Sequence, residues 1–287
     1  MLFASAAPAS VTASVPAADR RLRPLAELPA DRLAGLVGVL TDIDDTLTRH
    51  SAIEPSAMAA LHALAAVGVP VVAITGRPAG WSRQVARDWP LNVMVAENGG
   101  VMLRRGDDGA WRCSFTVDKA TRLARSARLA ACARAILAEV PGATLARDSA
   151  GRLTDIAVDH SETSHLDQAG IDRVVALMRR HGLTATVSSI HVNGWIGGHS
   201  KWSAAGWAVR EGLGLDFVPA DWVYLGDSTN DQLMFEHLPL SVAVANIDRF
   251  VPQLTVLPGY VTRAERGAGF AELAQALLDA RRAAGPR

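Results

Sequence analysis

Two aspartates, Asp42 and Asp44, stand where an apolar run, Leu36 to Leu40, gives way to a turn. Carboxylates at the carboxyl end of a buried strand suit three tasks at close quarters: nucleophile, acid or base, and ligand of a hard cation. Three further pieces, distant in the chain, carry the groups that such chemistry still lacks. They are Thr75-Gly76-Arg77, Lys201, and Gly226-Asp227-Ser228-Thr229-Asn230-Asp231. Phosphoryl transfer needs a nucleophile in line with phosphorus and charge to offset the transferring oxygens. A carboxylate attacks an anionic phosphate ester only beside a cation. Asp42 and Asp227 can supply the one or two carboxylates that magnesium usually takes. Lys201 adds a point charge for the phosphate. Thr75 offers a hydroxyl, and Gly76 lets a backbone N–H approach closely. Asp44 can protonate the leaving oxygen and later deprotonate water.

The elements that must position these groups follow an alternating pattern. Leu36 to Thr41 is short and apolar, as a buried parallel strand requires. Pro55 opens a helical pattern through Met58, Leu61, His62, Leu64 and Ala65, and Gly68 stops it. Pro70 to Ile74 reads as a second strand, Ala79 to Asp88 as a helix, and Asn92 to Ala96 as a third strand. Strand–helix–strand–helix–strand with short connections is the βαβ pattern of a doubly wound, mostly parallel, Rossmann-like sheet. In such α/β sheets ligands bind outside the carboxyl ends of the strands. Asp42 and Asp44, Thr75, and Asp227 after a Trp222 to Leu225 strand all fall there.

The pattern changes after Glu97-Asn98-Gly99. Val101 to Arg104 and Trp111 to Phe115 flank Gly106-Asp107-Asp108-Gly109, a hairpin signal. A long helix runs from Asp118 to Val140, with an apolar stripe of Leu129, Ala133, Ile136, Leu137 and Val140. Strands at Ala143 to Asp148 and Leu153 to Asp159 follow, then a helix from Leu166 to His181, then strands at Thr184 to Ile190 and His191 to Ile196. Helix–strand–strand, twice over, reads as an inserted α+β domain. The expected organisation is a flexible N-terminal tail over 1–34, a catalytic core built from 35–115 and 197–287, and an inserted domain over 116–196. After the insertion, Trp202 to Glu211 and Thr229 to His237 read as helices, Ser241 to Ala245 as a strand, and Phe270 to Arg282 as a closing helix.

Composition narrows the class. The chain has 287 residues, 49% hydrophobic and 20% charged, as in soluble globular proteins. With 29 basic and 29 acidic residues the formal net charge is zero, so no basic field predicts a nucleic-acid or membrane partner. No apolar run approaches the ~18 residues that span a bilayer. Met1 to Ala18 lacks the basic start and continuous apolar stretch of a signal peptide. Cys113 and Cys132 have no metal-ligand spacing and read as reduced thiols, which places the protein in the cytoplasm. A monomer or homodimer is expected.

The four pieces, in this order, resemble the motifs of the haloacid dehalogenase superfamily of phosphohydrolases. Asp42-Ile43-Asp44-Asp45-Thr46-Leu47 looks like the nucleophile loop of its phosphatases, Thr75-Gly76-Arg77 the second motif, Lys201 the third, and Gly226-Asp227 with Asp231 the fourth. The insertion lies between the second and third motifs, where the superfamily's class II caps lie, and its repeat is similar to the IIB cap. That subclass includes sucrose-phosphate, trehalose-phosphate and mannosyl-phosphoglycerate phosphatases and the phosphomannomutases. The resemblance implies a magnesium-dependent phosphatase acting on a small phosphorylated metabolite, a sugar phosphate, through an aspartyl-phosphate. It implies Asp42 as nucleophile, Asp44 as acid/base, and Thr75 and Lys201 as further catalytic groups. It implies phosphate binding by Thr75, Gly76, Arg77, Lys201 and Asn230. The implied Mg2+ set is Asp42, Asp44 (through its backbone carbonyl), Asp227 and Asp231, with Asn230 or Asp231 ordering the metal's water or the phosphate.

Each piece alone has a bland reading: a capped turn for Asp42 to Thr46, a surface lysine for Lys201, a helix cap for Asp227 or Ser228. Their order, the strand ends at which three of them fall and the domain-sized insertion together outweigh it. Within the insertion, Arg122, Arg125 and Arg128 read as a solvated basic face. His191, Asn193 and Trp195 share one strand face, turned either to substrate or to the cap helices. The competing functions are a phosphomutase of the same fold, a phospho-accepting receiver domain, which would lack so large an insertion, and a non-catalytic phospho-ligand binding protein.

Overall fold

The computed structural model describes residues 22–285. In chain order the strands and helices of its first part are β1 (Arg23–Pro24), α1 (Ala30–Gly35), β2 (Gly38–Thr41), β3 (Thr48–Arg49), β4 (Ala52–Ile53), α2 (Pro55–Ala66), β5 (Val71–Ile74), α3 (Ala79–Val85), β6 (Val93–Ala96), β7 (Val101–Arg105) and β8 (Trp111–Phe115). The insertion contributes α4 (Lys119–Glu139), β9 (Thr144–Leu145), β10 (Asp155–Asp159), α5 (Gln168–Arg180), β11 (Thr184–Val187) and β12 (His191–Trp195). The chain closes with α6 (Lys201–Trp207), β13 (Trp222–Gly226), α7 (Gln232–His237), β14 (Ser241–Ala243), β15 (Tyr260–Val261) and α8 (Arg266–Ala284).

Nine strands form one sheet in the order β1-β15-β14-β13-β2-β5-β6-β7-β8. The pairs from β1 through to β6 are parallel, and only the β7–β8 hairpin turns antiparallel at the far edge. All four residues of β2, β5 and β6 are buried, as strands covered on both faces must be. One apolar layer, including Leu61, Leu64, Phe270, Leu273 and Leu277, packs α2 and α8 on one face. Another, including Ala205, Val209, Trp222, Tyr224 and Met234, packs α6 and α7 on the other. No described helix is long and apolar enough to cross a membrane.

The insertion has its own four-stranded antiparallel sheet, β11-β12-β10-β9. Its separate core joins α4 and α5 through Leu129, Cys132, Ile136, Val174 and Met178. Asp118 and Asp167 cap the two helices by accepting the N–H of Thr121 and Gly170, which satisfies orphan donors of the first turn. We refer to this unit as the cap.

Several expectations change. Residues 22–34 are not a tail. Arg23–Pro24 pairs in parallel with Tyr260–Val261, and Leu25, Leu28 and Leu33 enter the core. The expectation for residues 1–21 falls outside the described residues. Leu137 is exposed, and Cys132 takes its place on the buried stripe of α4. Of the three arginines of α4, Arg128 is exposed as expected, but Arg122 and Arg125 are half-buried. Arg122 stacks 3.6 Å above Phe115 and donates to Val117 O, while Arg125 donates to Ile196 O at 2.6 Å. They tie α4 to the two chain crossings between core and cap.

The second crossing carries His199, whose ring stacks on Trp195 at 5.5 Å. Burial, aided by Arg125, holds its pKa down at about 4. The folded value lies below the ordinary ~6.5 of an unfolded histidine. The stability it contributes is therefore complete above pH ~6.5 and is lost as pH falls toward 4. Urea unfolding of the parent and of His199→Gln checks this. The parent's advantage should shrink by up to about 3 kcal/mol across that window. A difference that does not change with pH rejects it.

Candidate active site

β2 lies at the middle of the sheet between β5 and β13, so three adjacent parallel strands end side by side. Their exits deliver Asp42, Thr75 and Asp227. Beyond β2 the chain makes a single tight turn, in which Ile43 O accepts from the N–H of Thr46, Leu47 and Thr48. Asp45 takes a left-handed φ of +56° there. The β3–β4 hairpin follows, turning on His50 and Ser51 at φ +49° and +64°.

Lys201 opens α6 behind a Ser200 capping box. Its side chain is buried and reaches across to Asp42 Oδ1 at 2.5 Å and Asp231 Oδ1 at 2.6 Å. Burial works against the Lys201 ammonium, but Asp231 and Asp42 raise its pKa above the ordinary value and keep it charged. Burial pushes Asp42 up to about 7, opposed by Lys201 and aided by Asp231 and Asp44. Asp227 is also pushed well up, by burial first and then by the nearby charges of Asp42 and Asp231. Carboxylate oxygens of Asp42, Asp227 and Asp231 all lie within 4.8 Å of one another.

Asp231 was expected among the metal carboxylates, but its oxygens are already engaged by four donors. Oδ1 accepts from Lys201 and the Tyr224 hydroxyl, and Oδ2 from the N–H of Asp227 and Ser228. It holds the loop and the lysine. Gly226 is required beside it, since a Cβ there would stand 2.4 Å from Asp231 Oδ2. Asp227 differs: its Oδ2 meets Asn246 and Arg249, while Oδ1 is buried with no hydrogen-bond partner. Asn230 lies by Lys201, with Oδ1 3.4 Å from Nζ.

Asp44 Oδ2 lies 3.5 Å from Thr75 Oγ1, and Asp44 Oδ1 accepts from Arg77 Nε at 2.8 Å. Arg77 was expected to bind phosphate. Instead its remaining donors meet Asp148 at 3.2 Å, Glu162 at 2.7 Å and Ser51 at 2.8 Å. It is a buried bridge between Asp44 and two cap carboxylates. Burial alone raises the Glu162 carboxyl, but His191, Ser51 and Arg77 together hold it far below the usual range.

Gly76 sits under the cap. Its carbonyl oxygen accepts from Arg152 at 2.9 Å and from Asn193 at 3.4 Å, and a Cβ would come within 2.5 Å of Asn193 Nδ2. The shared face of β12 is therefore turned toward the core: His191 meets Glu162 at 3.0 Å, and Asn193 covers Gly76. Asn98 Nδ2 and Asn193 Oδ1 are buried there without a protein partner. Glu97 and Asn98 leave β6 with φ of +53° each. The buried Glu97 carboxylate accepts from the N–H of Ala79, Leu153 and Thr154 and from the Thr154 hydroxyl.

A cavity of about 380 Å3 opens beside Asp44, between the β3–β4 hairpin and the cap. Hydroxyls and charges line it, among them Ser51, Ser161, Glu162, Ser189 and Arg249, and Ile190 is its one purely aliphatic side chain.

A family model described as haloacid dehalogenase-like hydrolase matches residues 39–128, which contain the Asp42 loop, Thr75-Gly76-Arg77 and the core–cap crossing. Over that segment the chain resembles the haloacid dehalogenase-like hydrolases. Solved structures carry the same fold across most of the chain. A Thermoplasma acidophilum protein shares 18% identity at a TM-score of 0.64, covering 85% of this chain and 99% of that one. The sucrose-phosphatase of Synechocystis, solved with sucrose and phosphate, shares 16% identity at a TM-score of 0.60, covering 84% and 98%. A phosphatase of the superfamily from Bacteroides thetaiotaomicron shares 18% identity at 0.56, covering 86% and 96%. No curated protein matches the sequence. The chain thus shares with these structures the mostly parallel sheet and the cap.

Proposed function

We propose that the protein is a magnesium-dependent phosphatase that hydrolyses a small, hydroxyl-rich phosphate ester, a sugar phosphate, through an aspartyl-phosphate. The observation that carries the reading is the buried Asp42–Lys201 contact, with Asp44 two residues on and Asp227 alongside. Lys201 holds Asp42 Oδ1, which leaves Oδ2 to attack phosphorus. The Asp42–phosphorus bond forms as the ester bond breaks, and Asp44 Oδ2 gives its proton to the leaving oxygen. Water then attacks phosphorus and loses a proton to Asp44, and the Asp42–phosphorus bond breaks to release inorganic phosphate. Thr75 Oγ1 and Lys201 Nζ face the transferring oxygens throughout.

The residues present fit a magnesium ion. The donors are all oxygens, and Asp227 keeps a buried, unpartnered Oδ1 beside Asp42. Asp42, Asp227 and the Asp44 carbonyl would hold the ion, with Asp231 in support. Bound there, it would offset phosphate charge so that an anion can attack an anion. The sugar reading is supported by the cavity beside Asp44, whose hydroxyl-rich lining suits a polyol better than an aromatic or lipid group. The Synechocystis neighbour, a sucrose-phosphatase, points the same way.

Phosphate release from a panel of hexose phosphates, disaccharide phosphates and phosphoglycolate tests the reading. Turnover is expected on sugar phosphates, abolished by EDTA and restored by magnesium. Turnover indifferent to EDTA, or none on any ester, overturns it.

A further inference from the structure

The loop after β14 brings a third group to the centre that the sequence motifs do not contain. Asn246 follows β14 within the helical turns of Ala245–Gln253, and only 8% of it is exposed. β14 is the neighbour of β13 on the side away from β2, so its end lies against Asp227. The Asn246 amide makes three contacts. Nδ2 donates to Asp227 Oδ2 at 3.2 Å and to the backbone carbonyl oxygen of Asp45 at 3.0 Å, and Oδ1 accepts from Arg266 N–H at 3.0 Å.

These contacts fix the amide in one orientation. Turned over, it would set an oxygen against two oxygens and an NH2 against an N–H. Both residues that it braces by their backbone stand in left-handed conformations, Asp45 at φ +56° and Arg266 at φ +50°. The second group on Asp227 Oδ2 is Arg249, at 3.4 Å, with a side chain 44% exposed. Asn246 is thus the buried, shorter contact. With Oδ2 held, the carboxylate plane is set, and Oδ1 is left unpartnered beside Asp42.

We propose that Asn246 is a positioning residue that ties the Asp42–Asp45 loop to Asp227 and presents Asp227 Oδ1 to the cation. Groups that orient a ligating carboxylate change metal affinity without touching the metal. The proposal rests on the magnesium reading above. It predicts that Asn246, which does not itself line the polar cavity, acts on metal affinity and not on recognition of the ester.

Isothermal titration of magnesium chloride into the full chain and into N246A tests this, with circular dichroism to establish folding. The parent is expected to bind, and N246A to bind about 10- to 100-fold more weakly. The magnesium concentration for half-maximal phosphatase activity should rise by the same factor, with KM for the ester unchanged at saturating metal. Equal magnesium affinity in the two proteins overturns the proposal. A parent that takes up no magnesium overturns the metal reading itself and the proposal with it, and is told apart by the parent's own titration. If N246A does not fold, N246S keeps a donor on a shorter stem and should show a smaller loss of affinity. Failure of both to fold overturns the proposal, because the amide then holds the fold and not the ligand.

Discussion

Asp42→Asn is expected to lower kcat/KM for phosphate release by a factor on the order of 10^4 or more, while the protein stays folded. The change is isosteric. The amide oxygen still accepts from Lys201 Nζ, and Asp231 still pairs with that lysine. What disappears is the anionic oxygen that, in the proposed mechanism, attacks phosphorus. Stability should not suffer, because burial already disfavours the Asp42 charge and pushes its pKa to about 7. Removing one of several crowded carboxylates relieves repulsion with Asp231 and Asp44. Phosphate release and urea unfolding on the same preparation check both halves. Activity within tenfold of the parent removes Asp42 as nucleophile.

Arg77→Ala is expected to cost on the order of 3–5 kcal/mol of folding stability, the usual scale for breaking a buried ion pair from one side. Its guanidinium is 4% exposed and serves Asp44, Asp148 and Glu162, themselves 12%, 16% and 17% exposed. Alanine would leave three partly buried carboxylates facing one another. Arg77→Lys should recover little, since an ammonium lacks the planar fork that reaches three partners at once. Denaturant unfolding of both variants measures the effect. A loss below about 1 kcal/mol would show that the cluster is solvated well enough to do without the arginine.

Arg77 also shows what the sequence conceals. Its place after Thr75-Gly76 was legible, because strand, glycine turn and helix start are local signals. Its partners were not: Asp148 and Glu162 lie 71 and 85 residues away and meet it only because the cap folds over β5. The alternation of β2, β5, β6 and β13 with helices was readable from apolar runs, and so were the aspartates at their ends. Asn246, Arg249 and Tyr224 were not readable as site residues. Each reaches the centre through sheet order, which places β13 beside β2 and β14 next to β13 although both come far later in the chain. The folding of residues 22–34 was hidden for a similar reason. A strand of two residues has no periodicity, and its partner β15 is at the other end of the sequence. Arg122 and Arg125 misled because helical spacing fixes a face but not the ring and carbonyl groups that face meets.

Glu97 limits how readily cap and core can part. Two covalent crossings join cap to core, and the Glu97 carboxylate adds a rivet, grasping the backbone of Leu153 and Thr154 from beneath β6. Arg152 and Asn193 on Gly76 O, and Arg77 on Asp148, hold the two units together as well. Ser51 on Glu162 and Thr229 on Val187 O add two more side-chain contacts between them. Ser51, Arg77 and Glu162 also line the polar cavity beside Asp44, so the cavity's walls and the bonds that join cap to core are the same few side chains.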